Sequence, residues 1–218
     1  MTLRIEVVKE IREIYESILS EILVREACFK NLWLYGSEED LFKELVFCLL
    51  TPQSKAEVCW DRVEQLNSEG LLLRGGYEEI VSVLRGVRFR RAKARYILEA
   101  RDKFLVDGVL TVRQVLRSFS DVFSLRDWFV ASLRGMGYKE ASHFLRNISL
   151  GSEFAILDRH VLKSMLRFDI IDYLPKTLSR ARYISLERSL RNFSLEVGIP
   201  ISHLDFVFWY RESGRIFK

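Results

Sequence analysis

The chain has 218 residues, 49% hydrophobic and 29% charged, enough to bury one good core or two small lobes and too apolar for disorder to be its main theme. Its 34 basic residues against 30 acidic leave a net charge of +4, a bias that permits nucleic-acid binding without establishing it. The longest apolar runs, such as Leu45–Leu50, fall far short of the roughly 20 residues of a bilayer-crossing helix, and the opening MTLRIEVVKEIREIYE lacks signal- or transit-peptide character, so a cytoplasmic protein is expected.

Taken in chain order, Ile5–Val24 places apolar residues at 7, 8, 11, 14, 15, 18, 19, 22 and 23, a continuous helical stripe. Cys28, Cys48 and Cys59 are odd in number, sit among apolar neighbours and lack CxxC spacing. Buried core thiols are expected of them, not disulfides or a thiolate metal site. Asp40–Leu50 continues the helical style up to the breaker Thr51-Pro52, with Gln53 just past it. Helical segments follow at Ala56–Leu66, Glu78–Leu84, Arg90–Leu105, Val112–Leu116 and Val122–Arg134, punctuated by Gly75-Gly76, Gly86 and Gly108. No sustained period-2 run appears, so the fold class is all-α. His143, His160 and His203 are scattered, and no metal site is expected.

Within this order, Arg88-Phe-Arg-Arg-Ala-Lys-Ala-Arg95 packs five basic residues into eight with no acid. On a helix, Arg88, Arg91 and Arg95 share one face that can track a phosphate backbone or simply be solvated. Phe89, between bases and the Gly86 turn, is either core or a ring that stacks on an extruded base.

The stretch Leu133-Arg-Gly-Met-Gly-Tyr-Lys-Glu-Ala-Ser-His-Phe-Leu-Arg-Asn147 is the most informative. Leu125, Trp128, Phe129 and Leu133 mark one helical face before it; Ala141, Phe144, Leu145 and Ile148 mark another after it. The Gly135-Met-Gly137 turn between them gives a helix-hairpin-helix pattern, where glycine permits positive φ and close backbone approach. Amides of the hairpin and of the first helical turn, at Gly135, Gly137 and Tyr138, then face a phosphate, a contact that holds DNA without reading its sequence. The plain alternative is an αα-hairpin with a glycine turn. Lys139 shifts that balance. In the first turn of a helix a cation opposes the macrodipole by about 0.3–1 kcal/mol, and this field together with partial burial favours the free amine that a nucleophile needs.

Nineteen residues later Phe154-Ala-Ile-Leu-Asp158-Arg-His ends an apolar segment with an N-cap aspartate, a position that keeps the carboxylate ionised. Near the C-terminus, Ser202-x-x-Asp205 has the spacing of a capping box opening a helix over His203–Glu212. Ser213-Gly214 closes it, and an Ile-Phe pair in the tail Arg-Ile-Phe-Lys218 is able to pin that end into the core.

The string GMGYKEASHFLRN followed by ILDRH resembles the helix-hairpin-helix DNA glycosylase superfamily, and within it the archaeal-type (type 2) 8-oxoguanine DNA glycosylase/AP lyases, over nearly the whole chain. One departure is Leu157, where that superfamily usually has Gly or Pro. The resemblance implies a two-lobed fold with the active site in the cleft: a central bundle over 35–148 ending in the hairpin, and a second lobe of 1–34 with 149–218. It implies a monomer acting on double-stranded DNA in base excision repair, in the nucleoid of a prokaryote. Lys139 would attack the anomeric carbon, forming a Schiff base that leads to β-elimination. Asp158 would assist deprotonation and stabilise positive charge on the sugar. Phe89 and Trp209 would sandwich the base, Gln53 would fill the gap it leaves, and Lys218 would recognise 8-oxoguanine through its carboxylate. That acceptor suits the ring N–H that oxidation creates and penalises guanine.

Endonuclease III-like relatives commonly carry four clustered C-terminal cysteines for an iron–sulfur cluster; here no cysteine follows Cys59, so none is expected there. A monovalent cation on hairpin carbonyls is compatible with the resemblance, and no other cofactor is implied. Two rivals stand beside this reading: another damaged base on the same scaffold, such as an oxidised pyrimidine or alkylated purine, and a non-enzymatic hairpin module that only grips DNA.

Overall fold

Helix α1 (Thr2–Tyr35) extends the N-terminal stripe well past Val24, and it stops at Gly36, whose amide closes on Leu32 O. The computed structural model describes residues 2–217. Ile11, Ile18, Ile22 and Phe29 line the buried face of α1, steps of seven and four that fall on one side of a helix. Cys28 lies off that face and is exposed, whereas Cys48 and Cys59 are buried; the expectation of three core thiols fails at the residue whose helical phase points outward.

Ser37 caps α2 (Glu38–Leu50), its hydroxyl accepting from Asp40 N while Asp40 returns to the Ser37 amide. Nine of its residues are buried, because α3 (Ala56–Ser68), α6 (Arg90–Phe104), α7 (Val112–Arg117) and α9 (Tyr138–Asn147) surround it. The short helices α4 (Leu71–Arg74) and α5 (Tyr77–Val83) complete that wall. Between α6 and α7 two-residue strands β1 (Leu105–Val106) and β2 (Val109–Leu110) pair antiparallel, Leu105 with Leu110 and Val106 with Val109. Asp107 and Gly108 both have positive φ there, the geometry a tight Asp-Gly hairpin demands. The chain is thus mainly helical with one minimal hairpin, too short to leave a period-2 signal.

Helix α8 (Val122–Ser132) is capped by Asp121 and leads into the Gly135–Gly137 turn and α9. After α10 (Arg159–Arg167) come α11 (Arg180–Val197) and α12 (Ile201–Ser213). Two apolar clusters result. One is built from residues between Leu41 and Phe154; the other joins the inner face of α1 to residues between Ala155 and Phe208. The tail crosses between them: Phe217 packs on the first cluster, against Phe47, and Ile216 on the second. The apolar tail pair therefore anchors this end as its composition suggested.

The expected capping box at Ser202 does not form. Helix α12 begins at Ile201 behind Pro200, and Ser202 is buried. Asp205 instead pairs with Arg146 of α9 at 2.7 Å. Proline already sets the dihedral that opens the helix, which frees Asp205 for a contact across the two clusters. A second cross-link is the buried pair of Arg126 on α8 with both carboxylate oxygens of Glu187 on α11, at 2.7 and 2.9 Å. Among the described residues no helix is long and apolar enough to cross a membrane.

Candidate active site

The hairpin turn is shaped by one glycine above all. Gly135 has φ 84°, and a Cβ there would collide with the ring of Tyr96 on α6; only glycine fits both constraints. Gly137 is the N-cap of α9, and its amide donates to Glu140 Oε2 at 3.1 Å. In this structure that amide is engaged by the capping box. The amides of Tyr138 and Lys139, in the first turn, have no intrahelical acceptor by geometry. The Tyr138 side chain turns toward α8 and α11: its hydroxyl donates to Asp127 Oδ1 at 2.5 Å and accepts from Arg180 Nε at 2.9 Å. Around the turn, Leu133 O accepts from Met136 N and Gly137 O from Ala141 N.

Lys139 occupies the second position of α9, its side chain largely shielded. Its Nζ donates to Thr51 Oγ1 at 3.1 Å and lies 3.8 Å from Glu140 Oε1. Thr51, which sequence reading treated only as a helix breaker, thus holds the amine of the proposed nucleophile. Asp158 is the N-cap of α10, Oδ1 accepting from His160 N and Val161 N at 2.8 Å each. Lys139 and Asp158 do not form an ion pair in this structure; the carboxylate beside the amine is Glu140.

Side chains from α11 hold the non-helical segment that delivers Asp158. The Tyr183 hydroxyl donates to Ala155 O at 2.7 Å and accepts from Leu157 N at 3.2 Å, while Ala155 N donates to Glu187 Oε1 at 2.9 Å. Burial pushes the Tyr183 phenol well above its ordinary range, so the hydroxyl keeps the proton it donates. Leu157, in place of the superfamily's Gly or Pro, is buried and supplies an N–H that proline lacks. Behind Asp158, burial first and the Asp158 charge next raise the Asp205 carboxyl above the usual range, despite Arg146 beside it.

The other candidates lie on several elements. Gln53 is exposed at the tip of the turn after α2 with φ 54°, and Phe89, at the N-cap of α6, has φ 59°. Non-glycine residues in this region are strained and concentrate at functional positions. Phe89 is 55% exposed, so it is not core, and the Arg88 guanidinium sits 4.8 Å from its ring centre. An open hollow of about 580 Å³ runs beside it, lined by Gly86, Val87, Phe89, Arg90, Arg91 and Ala92. Arg91 and Arg95 are exposed one turn apart on α6, with Arg95 over the Tyr77 ring. Arg88 precedes the helix, so helical spacing does not set its position relative to Arg91 and Arg95. Lys93, counted in the same basic run, is buried.

Trp209 is half-buried on α12, its ring edge-on to His160 at 4.9 Å, and its indole N–H has no partner among the described residues. Phe89 and Trp209 are not in ring contact with one another. Arg215 of the tail pairs with Glu57 of α3, which ties the tail to the wall behind the Gln53 turn. Lys218 lies outside the described residues.

Residues 22–199 match the family model described as 8-oxoguanine DNA glycosylase. The chain is 41% identical over 213 residues to a Fusobacterium nucleatum 8-oxoguanine DNA glycosylase/AP lyase, covering 98% of both chains. It is 37% identical to the Methanocaldococcus jannaschii 8-oxoguanine DNA glycosylase/AP lyase, covering 97% of this chain and 99% of that one. Among solved structures it resembles the 8-oxoguanine DNA glycosylase of Thermotoga maritima, with TM-score 0.87 and 34% identity over 99% of this chain and 100% of that one. It also resembles the Methanocaldococcus jannaschii 8-oxoguanine glycosylase/lyase in complex with a 15mer DNA containing 8-oxoguanine, with TM-score 0.86 and 33% identity over 98% of this chain and 100% of that one.

Proposed function

The chain belongs to the 8-oxoguanine DNA glycosylase family, and from that premise we propose that Lys139 and Asp158 carry its chemistry. The protein is a DNA repair enzyme that excises 8-oxoguanine from duplex DNA and, as an AP lyase, nicks the strand at the abasic site. The observation that carries the residue assignment is the amine of Lys139, shielded at the head of the hairpin helix and held by the Thr51 hydroxyl.

In this reading the free amine of Lys139 bonds to the anomeric carbon as the N-glycosidic bond breaks. The electron pair leaves with the base, which takes up a proton. Ring opening of the sugar gives the protonated Schiff base between Lys139 and the deoxyribose. Loss of a proton from the adjacent sugar carbon then expels the 3′ phosphate and breaks the strand. The Asp158 carboxylate stabilises positive charge on the sugar, and water then hydrolyses the Schiff base to release Lys139.

An extruded base fits beside Phe89 and Trp209, where one ring is exposed on a strained backbone and the other offers an unpartnered N–H. In this reading Gln53, also strained and exposed, occupies the gap in the duplex. Arg88, Arg91 and Arg95 supply phosphate contacts, and Lys218 reads the oxidised ring. We place the enzyme on the cytoplasmic chromosome.

Single-turnover excision from duplexes carrying 8-oxoguanine, an oxidised pyrimidine or plain guanine tests the reading. Preference for 8-oxoguanine that is lost when residues are added after Lys218 supports the base assignment. Excision that tolerates such an extension removes Lys218 from recognition.

A further inference from the structure

Within the basic run 88–95, Lys93 is 3% exposed. Its Nζ donates to Leu50 O at 2.7 Å, Pro52 O at 2.7 Å and Ser54 Oγ at 3.0 Å. An ammonium has three donors, and all three are used on one turn. Leu50 is the last residue of α2, where a cation complements the negative end of the helix dipole. The same Leu50 carbonyl also accepts from Cys59 Sγ.

That turn connects Lys93 to several parts of the site. Thr51, between two of the clamped oxygens, accepts the Lys139 amine. Gln53 stands between Pro52 and Ser54 with φ 54°. On the α6 side, Lys93 N donates to Phe89 O at 3.0 Å and Arg88 N donates to Ser54 Oγ at 3.0 Å. Lys93 thus lies between the strained residues Gln53 and Phe89, bonded on either side.

No carboxylate pairs with Lys93 within 4.0 Å among the described residues, and burial holds its ammonium down to about 8, with the Cys59, Glu140, Lys139 and Arg88 side chains as charged or titratable neighbours. A charge so placed costs stability relative to an apolar side chain of the same length, so a role in bulk stability is a poor account of it.

We propose that Lys93 is a positioning residue for strand chemistry: its ammonium fixes the 50–54 turn so that the Thr51 hydroxyl is aimed at the Lys139 amine. The inference rests on Lys139 being the nucleophile. Lys93 itself is not placed to attack, since its hydrogens are committed to buried oxygens.

The test measures borohydride trapping on an abasic-site duplex under single turnover, with the Kd for that duplex measured in parallel. The wild type is compared with Lys93→Met, Thr51→Val, the double variant and Ser54→Ala. A lost alignment lowers the trapping rate of Lys93→Met about tenfold or more, whereas Kd changes by no more than about threefold because no phosphate contact is removed. The double variant falls within about twofold of the slower single variant, the signature of two residues acting through one interaction. Ser54→Ala, which deletes one of three acceptors, loses about threefold on the same basis.

A folded Lys93→Met at wild-type rate overturns the proposal, and so does a double variant whose losses multiply. If Lys93→Met fails to fold, Ser54→Ala decides, and a wild-type rate there is equally fatal. Absence of any adduct from the wild type, or its survival in Lys139→Gln, refutes the nucleophile assignment instead and is read separately.

Discussion

Replacing Tyr183 with Phe keeps the ring and its packing and removes one oxygen. That oxygen serves the main chain twice, donating to Ala155 O and accepting from Leu157 N, both buried. Each buried backbone group left unsatisfied costs about 1–3 kcal/mol, so the loss of two amounts to about 2–6 kcal/mol. For a chain of this size 1 kcal/mol moves the midpoint by about 2–4 °C, and the expected fall is roughly 4–24 °C. Function should drop as well, because the 154–157 segment sets where the Asp158 cap stands. Single-turnover excision is expected to slow about tenfold with DNA affinity held. Calorimetry and excision kinetics read both effects. Tyr35→Phe is the control: Tyr35 is 81% exposed, and an exposed change of this kind stays within about 0.5 kcal/mol. A Tyr183→Phe protein that matches this control in midpoint and rate would refute the idea that the hydroxyl positions Asp158.

Other expectations follow from single observations. Gly135→Ala forces an L residue to φ 84° and drives a methyl into the Tyr96 ring; a loss of about 1–3 kcal/mol is expected, with weaker duplex binding in a fluorescence titration. Phe217→Ala removes the ring that packs on Phe47; a loss of about 1–3 kcal/mol and slower 8-oxoguanine excision are expected, with abasic-site trapping spared. Burial lowers Lys93 from 10.5 to about 8, so in that window the unfolded chain binds more protons than the folded one and stability rises with pH. Urea midpoints of the wild type should therefore gain on those of Lys93→Met as pH climbs through the window, and parallel curves would contradict the burial of a charged lysine.

The helices were legible because their signal is local. The stripe on α1, the cap at Asp158 and the glycine turn before α9 all depend on residues within a few positions of each other. Elsewhere a distant contact outweighs the local pattern. Asp205 has capping-box spacing yet serves Arg146, 59 positions away. Lys93 reads as one more surface base, yet its partners lie 39 to 43 positions earlier. Lys139 and Asp158 stand out as candidates from their chain context, but Thr51, 88 positions from Lys139, does not. Tyr183 and Glu187 sit on an amphipathic helix where nothing in the spacing separates them from ordinary core. Their role exists only once α11 is packed beside the segment that carries Asp158.

The central claim is that the amine of Lys139 forms the covalent bond to DNA. Reducing the wild-type enzyme with borohydride on an 8-oxoguanine duplex, digesting the adduct and locating the modified residue by mass spectrometry tests it directly. The deoxyribose remnant is expected on Lys139, with no adduct from Lys139→Gln. A remnant on Lys93, on another lysine or on the amino terminus would contradict it.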